Sequence, residues 1–301
     1  MAKIVVLGAT GMLGSAFVDL LGPSNRDMYY SSRMESNPLS NWFYLDASSP
    51  ELAIESMHLG PGDYVVNCIG VIKSHITESS TESRASAVEV NALFPLKLAR
   101  LAESMGFRVI QIATDCVFSG RQGWSDENSS HDALDVYGKT KSLGESISEN
   151  VLNIRTSIIG PERGRSTSLV EWVRNQPLKA EIQGYEDHFW NGVTAHHFAK
   201  IVIAIIRNGS FRNGTFHLVP EGFQTKAQLV LAICKRFRRE DIKVVGHLTG
   251  ERIDRRLATL RPEISAEYWT LAGYDRPPTI HEMLAELPDQ SSKIDLAPQE
   301  N

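Results

Sequence analysis

The chain has 301 residues, 42% hydrophobic and 22% charged, an ordinary globular composition long enough for one large domain or for a large and a small one sharing a cleft. A formal net charge of -5 supplies no field for gripping a nucleic-acid backbone, so that partner class is excluded from the expectation. The basic cluster Lys235, Arg236, Arg238 and Arg239 is followed at once by Glu240 and Asp241 and reads as a solvated helix end.

Cys68, Cys116 and Cys234 are too scattered for a disulfide framework or a zinc cluster, so no metal is expected. Met1 leads straight into an apolar strand with no signal-peptide pattern, and no apolar run reaches the roughly 18 residues of a membrane span. A cytoplasmic protein with reduced thiols is the expectation. The Asn-x-Ser/Thr triplets at Asn128, Asn208 and Asn213 are then chance matches.

In chain order, residues 4–7, 28–31, 43–45, 64–69 and 109–113 read as strands buried on both faces, because they are nearly continuous in apolar or β-forming residues. The segments between them carry helical periodicity. It is clearest over 87–105, where Val88, Leu93, Leu96, Leu98 and Leu101 recur at helical spacing and Gly106 stops the run. Alternating units of this length call for a parallel sheet with helices on both faces. A further strand at 153–158 continues the pattern. Beyond it, strands near 216–219 and 242–245, with helices around 169–174, 197–207 and 226–237, predict a smaller lobe interleaved with the sheet. The expected division is a nucleotide-binding domain over 1–160, a substrate-binding lobe over 161–289 and a disordered tail over 290–301.

After the first strand comes Gly8-Ala9-Thr10-Gly11-Met12-Leu13-Gly14. Glycines here permit a tight strand-to-helix turn, close backbone approach to a pyrophosphate and close packing of helix on sheet. The helix that follows presents its N-terminal N–H groups to an anion, so Gly8, Thr10, Gly11, Met12, Leu13 and Gly14 are candidate cofactor-binding residues. The fold class implied is α/β, a Rossmann-type doubly wound parallel sheet with a smaller C-terminal substrate-binding lobe.

The spacing Gly-x-x-Gly-x-x-Gly resembles that of extended short-chain dehydrogenases. In such folds an acid at the end of the second strand selects NAD, whereas a cation selects NADP. Here that strand ends Ser31-Ser32-Arg33, with no carboxylate before Glu35, so Ser32 and Arg33 predict NADPH over NADH. The same resemblance implies that Asp46 meets the adenine amino group. It also implies that Asn67-Cys68-Ile69-Gly70 lines the ribose pocket through Cys68, Ile69 and Gly70.

Tyr137 and Lys141 in Tyr137-Gly138-Lys139-Thr140-Lys141 are four apart and share one helix face. A phenol with a pKa of about 10 is a poor acid–base group near neutrality, and a neighbouring ammonium is expected to lower it. Thr114, 23 residues before Tyr137, ends a strand at the sheet's carboxyl edge, where its hydroxyl can polarise a carbonyl oxygen.

The strings Ala113-Thr114-Asp115-Cys116-Val117-Phe118-Ser119-Gly120, Tyr137-Gly138-Lys139-Thr140-Lys141-Ser142-Leu143-Gly144-Glu145 and Ile154-Arg155-Thr156-Ser157-Ile158 closely resemble the dTDP-4-dehydrorhamnose reductase family over roughly residues 1–200. The resemblance implies catalytic Thr114, Tyr137 and Lys141, and hydride delivery from NADPH to the C4 ketone of a nucleoside-diphospho-4-keto-6-deoxy sugar. It implies that Asn91 helps hold the catalytic lysine beside the cofactor, often through water. Asp115, Cys116, Arg163, Arg165 and Trp190 are the candidate substrate contacts. The chain departs from the family over Asp187-His188-Phe189-Trp190-Asn191-Gly192-Val193-Thr194, which leaves the sugar open. The expected partner is a nucleotide-sugar substrate, with no nucleic acid and no membrane; a homodimer stays open.

Three other readings share the scaffold. Sugar-nucleotide dehydratases follow the threonine with two acids, and Cys116 removes one of them. An epimerase would retain NAD through an acidic second-strand end. Some family members are regulatory subunits, the methionine adenosyltransferase β-subunit among them, and bind NADP without turnover.

Overall fold

The computed structural model describes residues 2–25, 27–33, 39–163 and 167–288. In chain order, β1 (Ile4–Leu7) leads into α1 (Met12–Leu21), β2 (Met28–Ser32), β3 (Trp42–Tyr44), α2 (Glu51–Glu55), β4 (Tyr64–Asn67), α3 (Thr81–Val88), α4 (Phe94–Met105), β5 (Arg108–Thr114), α5 (Val136–Leu143) and β6 (Val151–Thr156). There follow β7 (Ile158–Ile159), α6 (Leu169–Arg174), β8 (Glu181–Tyr185), β9 (His188–Trp190), β10 (Val193–Thr194), α7 (Ala195–Arg207), β11 (Gly214–His217), β12 (Gln224–Thr225), α8 (Lys226–Arg236), β13 (Lys243–His247), β14 (Ile253–Asp254), α9 (Pro262–Leu271) and α10 (Ile280–Ala285).

Seven strands form one sheet in the order β11-β6-β5-β4-β1-β2-β3, every pairing parallel. Strand alternation sorts the side chains onto two faces. Ile4, Val6, Val66, Ile110 and Ile154 pack with Phe17 of α1 and Phe198 of α7, while Val5, Leu7, Val65 and Val109 pack with Phe94, Leu98 and Leu101 of α4. This is the doubly wound Rossmann-type sheet that the sequence predicts. Its order reverses beside β1, so the crevice for a ligand lies at the carboxyl ends of β1 and β4.

The second half of the chain does not stay apart. α7 lies against α1 and β11 joins the sheet beside β6, while β12-β9-β14 and β13-β8 form two small sheets of their own. Among the described residues no helix is long and apolar enough to cross a membrane. The expected disordered tail, 290–301, falls outside the described residues.

Two elements differ from the sequence reading for physical reasons. β4 stops at Asn67 rather than 69, because the Asn67 carboxamide accepts the Ile69 N–H at 2.9 Å and turns the chain. The single helix predicted over 87–105 is two helices joined by a π-turn, Glu89–Leu93. Pro95 has no N–H to give the carbonyl of Asn91, so the regular ladder fails there and the turn widens.

Two buried histidines brace the structure, and one of them, His217, ties the halves together. On β11, the His217 Nε2 accepts from Arg155 of β6 at 2.6 Å, and its Nδ1 donates to the Ala258 carbonyl at 2.6 Å. Arg155 also forks onto Glu145 and reaches His131 Nε2 at 2.9 Å. Burial, reinforced by Arg155, pushes His217 down to about 4. Burial likewise pushes His197, held by Thr194 at 2.7 Å, down to about 4. A folded-state pKa below the unfolded value means that the unfolded chain binds more protons as pH falls, so stability is present above 6.5 and is lost toward 4. We predict that the thermal midpoint falls by at least about 5 °C between about pH 7 and pH 4.5, and that His217→Gln flattens the fall. A midpoint unchanged across that range would contradict the assignment of neutral buried histidines.

Candidate active site

The first half of the site is a cradle with no room for side chains. Gly8 follows β1 with φ 77°, and a Cβ there would stand 2.8 Å from Ile69 Cγ1. A Cβ on Gly14 would lie 2.2 Å from the Gly8 carbonyl oxygen, so α1 can pack this tightly on the turn only with glycine at that position. Gly11 is the N-cap of α1 and offers no side chain to the helix end. The amides of Met12, Leu13 and Gly14 therefore have no partner within the helix and remain available to an anion. Leu13 and Met12 otherwise face the core.

Beyond this turn opens a cleft of about 220 Å³. Gly8, Thr10, Gly11, Ser32, Arg33, Asp46, Cys68, Ile69 and Gly70 line it, so most of the residues predicted to hold a cofactor are brought together. Ser31 fixes the turn by accepting the Gly8 N–H at 3.0 Å. Arg33 is exposed at the rim, and the end of β2 carries no carboxylate. Asp46 accepts the Ser48 N–H and hydroxyl, both at 2.8 Å, and with Arg33 nearby its carboxyl is held below the usual range. Cys68 has its thiol pushed up by burial.

The second half of the site is built where α5 meets the end of β5. Asp135 caps α5 by accepting the Gly138 N–H at 2.8 Å and is itself held by Lys73 at 2.8 Å. A Cβ on Gly138 would lie 2.5 Å from the Cys116 carbonyl oxygen, so the first turn of α5 rests directly on the segment after Thr114. That contact sets Tyr137 against Thr114, whose hydroxyl is close enough to ease the phenol toward its charged form. Thr114 Oγ1 also accepts the Cys116 N–H at 3.2 Å and lies 3.2 Å from Asp115 Oδ1. Lys141 is buried one helical turn on, with its ammonium donating to the Ile112 carbonyl at 3.1 Å.

The electrostatics correct one expectation. Burial drives the Tyr137 phenol up from its ordinary value, with Cys116 adding to the rise and the neighbouring Thr114 hydroxyl opposing it. Lys141 is lowered to about 8 by the same burial, opposed by Glu145. A charge costs more in this dry corner than the two groups return to each other, so the phenol stays protonated instead of being drawn toward neutrality by the ammonium. Asn91 is fixed by direct contacts to the wall of the cleft. Its carboxamide exchanges two hydrogen bonds of 2.9 Å with the backbone of Val71 and reaches Thr140 at 3.3 Å, so it holds the wall of the cleft and does not touch Lys141.

Near Asp115 and Cys116 stand two cations that sequence reasoning missed, Lys226 at the start of α8 and Arg255 just after β14. Neither takes part in an ion pair among the described residues, and the Arg255 Nε is buried without a hydrogen-bond partner there. Burial lowers the Lys226 ammonium while Asp115 and Cys116 oppose the drop; Cys116 itself is raised to about 12 by burial and then Asp115, with Arg255 opposing. Asp115 and Cys116 thus lie within electrostatic reach of both cations. Trp190 is buried, with the Lys226 ammonium 5.5 Å from its ring centre, so it forms a floor and offers no open stacking face. Arg163 is engaged by Asp19 of α1 and does not stand with Lys226 and Arg255. Arg165 lies outside the described residues. A capping box, Thr225 with Gln228, was readable as a helix start and would have placed Lys226 in its first turn. Arg255 has no such local signal.

Residues 2–286 match a family model described as RmlD substrate binding domain. A dTDP-4-dehydrorhamnose reductase of Mycobacterium tuberculosis is 32% identical over 149 residues, 48% of this chain and 44% of that enzyme, so the match spans less than half of that relative's length. Methionine adenosyltransferase 2 subunit beta of Rattus norvegicus is 25% identical over 247 residues, 78% of this chain and 72% of that protein. Among solved structures, a dTDP-4-dehydrorhamnose reductase of Bacillus anthracis in complex with NADP has the same fold, with a TM-score of 0.73 at 18% identity over 94% of this chain and 98% of that one. With a match that runs over nearly its whole length, the chain belongs to the RmlD substrate binding domain family.

Proposed function

We propose that this protein reduces the C4 keto group of a nucleoside-diphospho-4-keto-6-deoxy sugar with NADPH. The observation that carries the reading is the packing of α5 on the segment after Thr114, which brings the Tyr137 and Thr114 hydroxyls to the carboxyl edge of the sheet with Lys141 one turn behind. The glycine cradle fits a dinucleotide, because only glycine at Gly8 and Gly14 lets the chain turn against Ile69 and lets α1 start directly on that turn, with its free N-terminal amides presented to a pyrophosphate. The B. anthracis relative, solved with NADP, adds support for a nicotinamide cofactor.

Bound in the cleft, the cofactor would supply the hydride for the carbonyl carbon. The residues that would hold it are the α1 amides at the pyrophosphate, Asp46 at the adenine, Arg33 at a 2′-phosphate and Lys141 at the ribose. Tyr137 carries its proton at working pH and gives it to the carbonyl oxygen, while Thr114 donates a hydrogen bond to the same oxygen as negative charge develops. Lys226 and Arg255, without ion-pair partners among the described residues, would face the substrate's diphosphate, whose charge would pair with theirs. Cys116 beside Asp115 leaves the site one acid short for dehydration.

A second reading has one observation in its favour: the rat subunit aligns over more of the chain than the mycobacterial reductase does. It makes the protein an NADP-binding regulatory subunit without turnover. Purified protein with NADPH, tried against dTDP-, UDP-, GDP- and CDP-linked 4-keto-6-deoxy sugars, separates the two. Oxidation of NADPH with one carrier supports the reductase; failure across the panel with tight NADPH binding puts the regulatory reading ahead.

Three outcomes are expected of the reductase. Tyr137→Phe should lower turnover by about 10²–10⁴ with NADPH affinity near wild type, and a variant reducing the sugar at the normal rate would remove Tyr137 as the acid. Arg33→Ala should weaken NADPH by about 1.5–3 kcal/mol and leave NADH almost unchanged, whereas an equal loss with both refutes the 2′-phosphate contact. Because Lys141 loses its proton near pH 8, kcat/KM should decline above that pH, and Lys141→Met should abolish that limb along with most activity. A kcat/KM level through pH 9.5 (roughly one and a half units above the Lys141 value) speaks against a required ammonium.

A further inference from the structure

We propose that Arg256 is a positioning residue, whose buried guanidinium locks a strap of chain, residues 119–125, around β14 and so aims Arg255 into the substrate pocket. The proposal rests on Arg255 as a ligand of the substrate's anionic group.

The strap begins at the catalytic end of β5 and crosses to the second lobe. Its backbone is stitched to β14 and the residues after it: the Asp254 N–H donates to the Gly120 carbonyl at 2.7 Å, the Ser125 N–H to the Arg256 carbonyl at 3.1 Å, and the Ala258 N–H to the Ser125 carbonyl at 2.9 Å. Two glycines let it pass on both faces of the strand. A Cβ on Gly120 would meet Ile253 Cγ2 at 2.9 Å and Arg255 Cγ at 3.1 Å, whereas a Cβ on Gly123 would meet the Asp254 carboxyl at 2.4 Å. Residues 253 and 255 thus face one side, and Asp254 and Arg256 the other, as strand alternation requires.

On the side away from the pocket, Arg256 bonds to the buried Asp254 carboxylate, through Nε at 2.7 Å and through Nη2. Its guanidinium carbon lies 4.3 Å from the ring centres of Trp124 and Phe223 and 4.8 Å from that of Phe189. A charge pair is costly to bury, and here the aromatic faces and the ion pair together leave Arg256 one arrangement. The Asn191 carboxamide secures the next residue, accepting from the Leu257 N–H at 2.9 Å and donating to its carbonyl at 2.8 Å. Arg255, between these fixed points, is held by its backbone while its guanidinium takes no hydrogen bond or ion pair among the described residues. Fixing the stem in advance reduces the ordering cost when an anion arrives.

The test is a double-mutant cycle on the full-length protein, with UDP and dTDP as probes, NADPH affinity as the internal control and the thermal midpoint as a check on folding. Arg255→Met should weaken the nucleoside diphosphates at least tenfold. Trp124→Leu removes one wall of the cage and leaves the Asp254 pair intact; it should weaken them about three- to tenfold and leave NADPH affinity within about twofold. Arg256→Lys, which keeps the charge but loses the flat face, should follow Trp124→Leu. In the Arg255→Met background the Trp124 effect should vanish. Wild-type nucleotide affinity in Trp124→Leu, or an effect that persists in full without Arg255, overturns the positioning role. Wild-type affinity in Arg255→Met overturns instead the reading of Arg255 as an anion ligand.

Discussion

Parallel strands covered by helices on both faces leave the sheet no surface for chemistry except its ends. That constraint arranges everything else in this molecule. β1 and β4 open the crevice at their carboxyl edges, where the chain turns at Gly8 and at Asn67. β5 ends at the same edge in Thr114, and α5 is pressed onto it because Gly138 has no side chain to hold it off. Cofactor cradle and hydroxyl pair are thus neighbours through the topology of the sheet, although more than a hundred residues separate them in sequence.

The same burial that stabilises the sheet sets the protonation of the site. Tyr137 is pushed up and Lys141 is pulled down, so each is biased toward its uncharged form. A protonated phenol is the form that a reductase needs when it delivers a proton to a carbonyl oxygen. The buried Arg155, Glu145, His131 and His217 group works differently: its charges are fully paired, and it joins β6 to β11 at the seam between the halves.

What the sequence made legible was local. Strand composition, the three glycines and the four-residue spacing of Tyr137 and Lys141 each carry their meaning within a few residues, and the fold and the cofactor cleft follow from them. Long-range contacts decided the rest. Asn91 sits in a π-turn that turns its side chain to Val71, and the break shows only as Pro95 within an otherwise regular helical pattern. Arg163 found Asp19, 144 residues earlier in the chain. Arg255 lies near Cys116 just after a strand that a strap from the first half wraps, which no periodicity near residue 255 reveals. Trp190, an aromatic in a divergent segment, is equally a floor or a stacking face until Lys226 is seen above it.

The central claim is hydride transfer to a sugar carbon, with Tyr137 supplying the proton. Its most direct measurement uses NADPH carrying deuterium at both positions of nicotinamide C4 together with a nucleotide-linked 4-keto-6-deoxy sugar, followed by mass analysis of the sugar product. The account predicts one deuterium on the carbon that was the ketone. A reduced sugar carrying no deuterium there, or NADPH held tightly with no reduced sugar from any carrier, would contradict it.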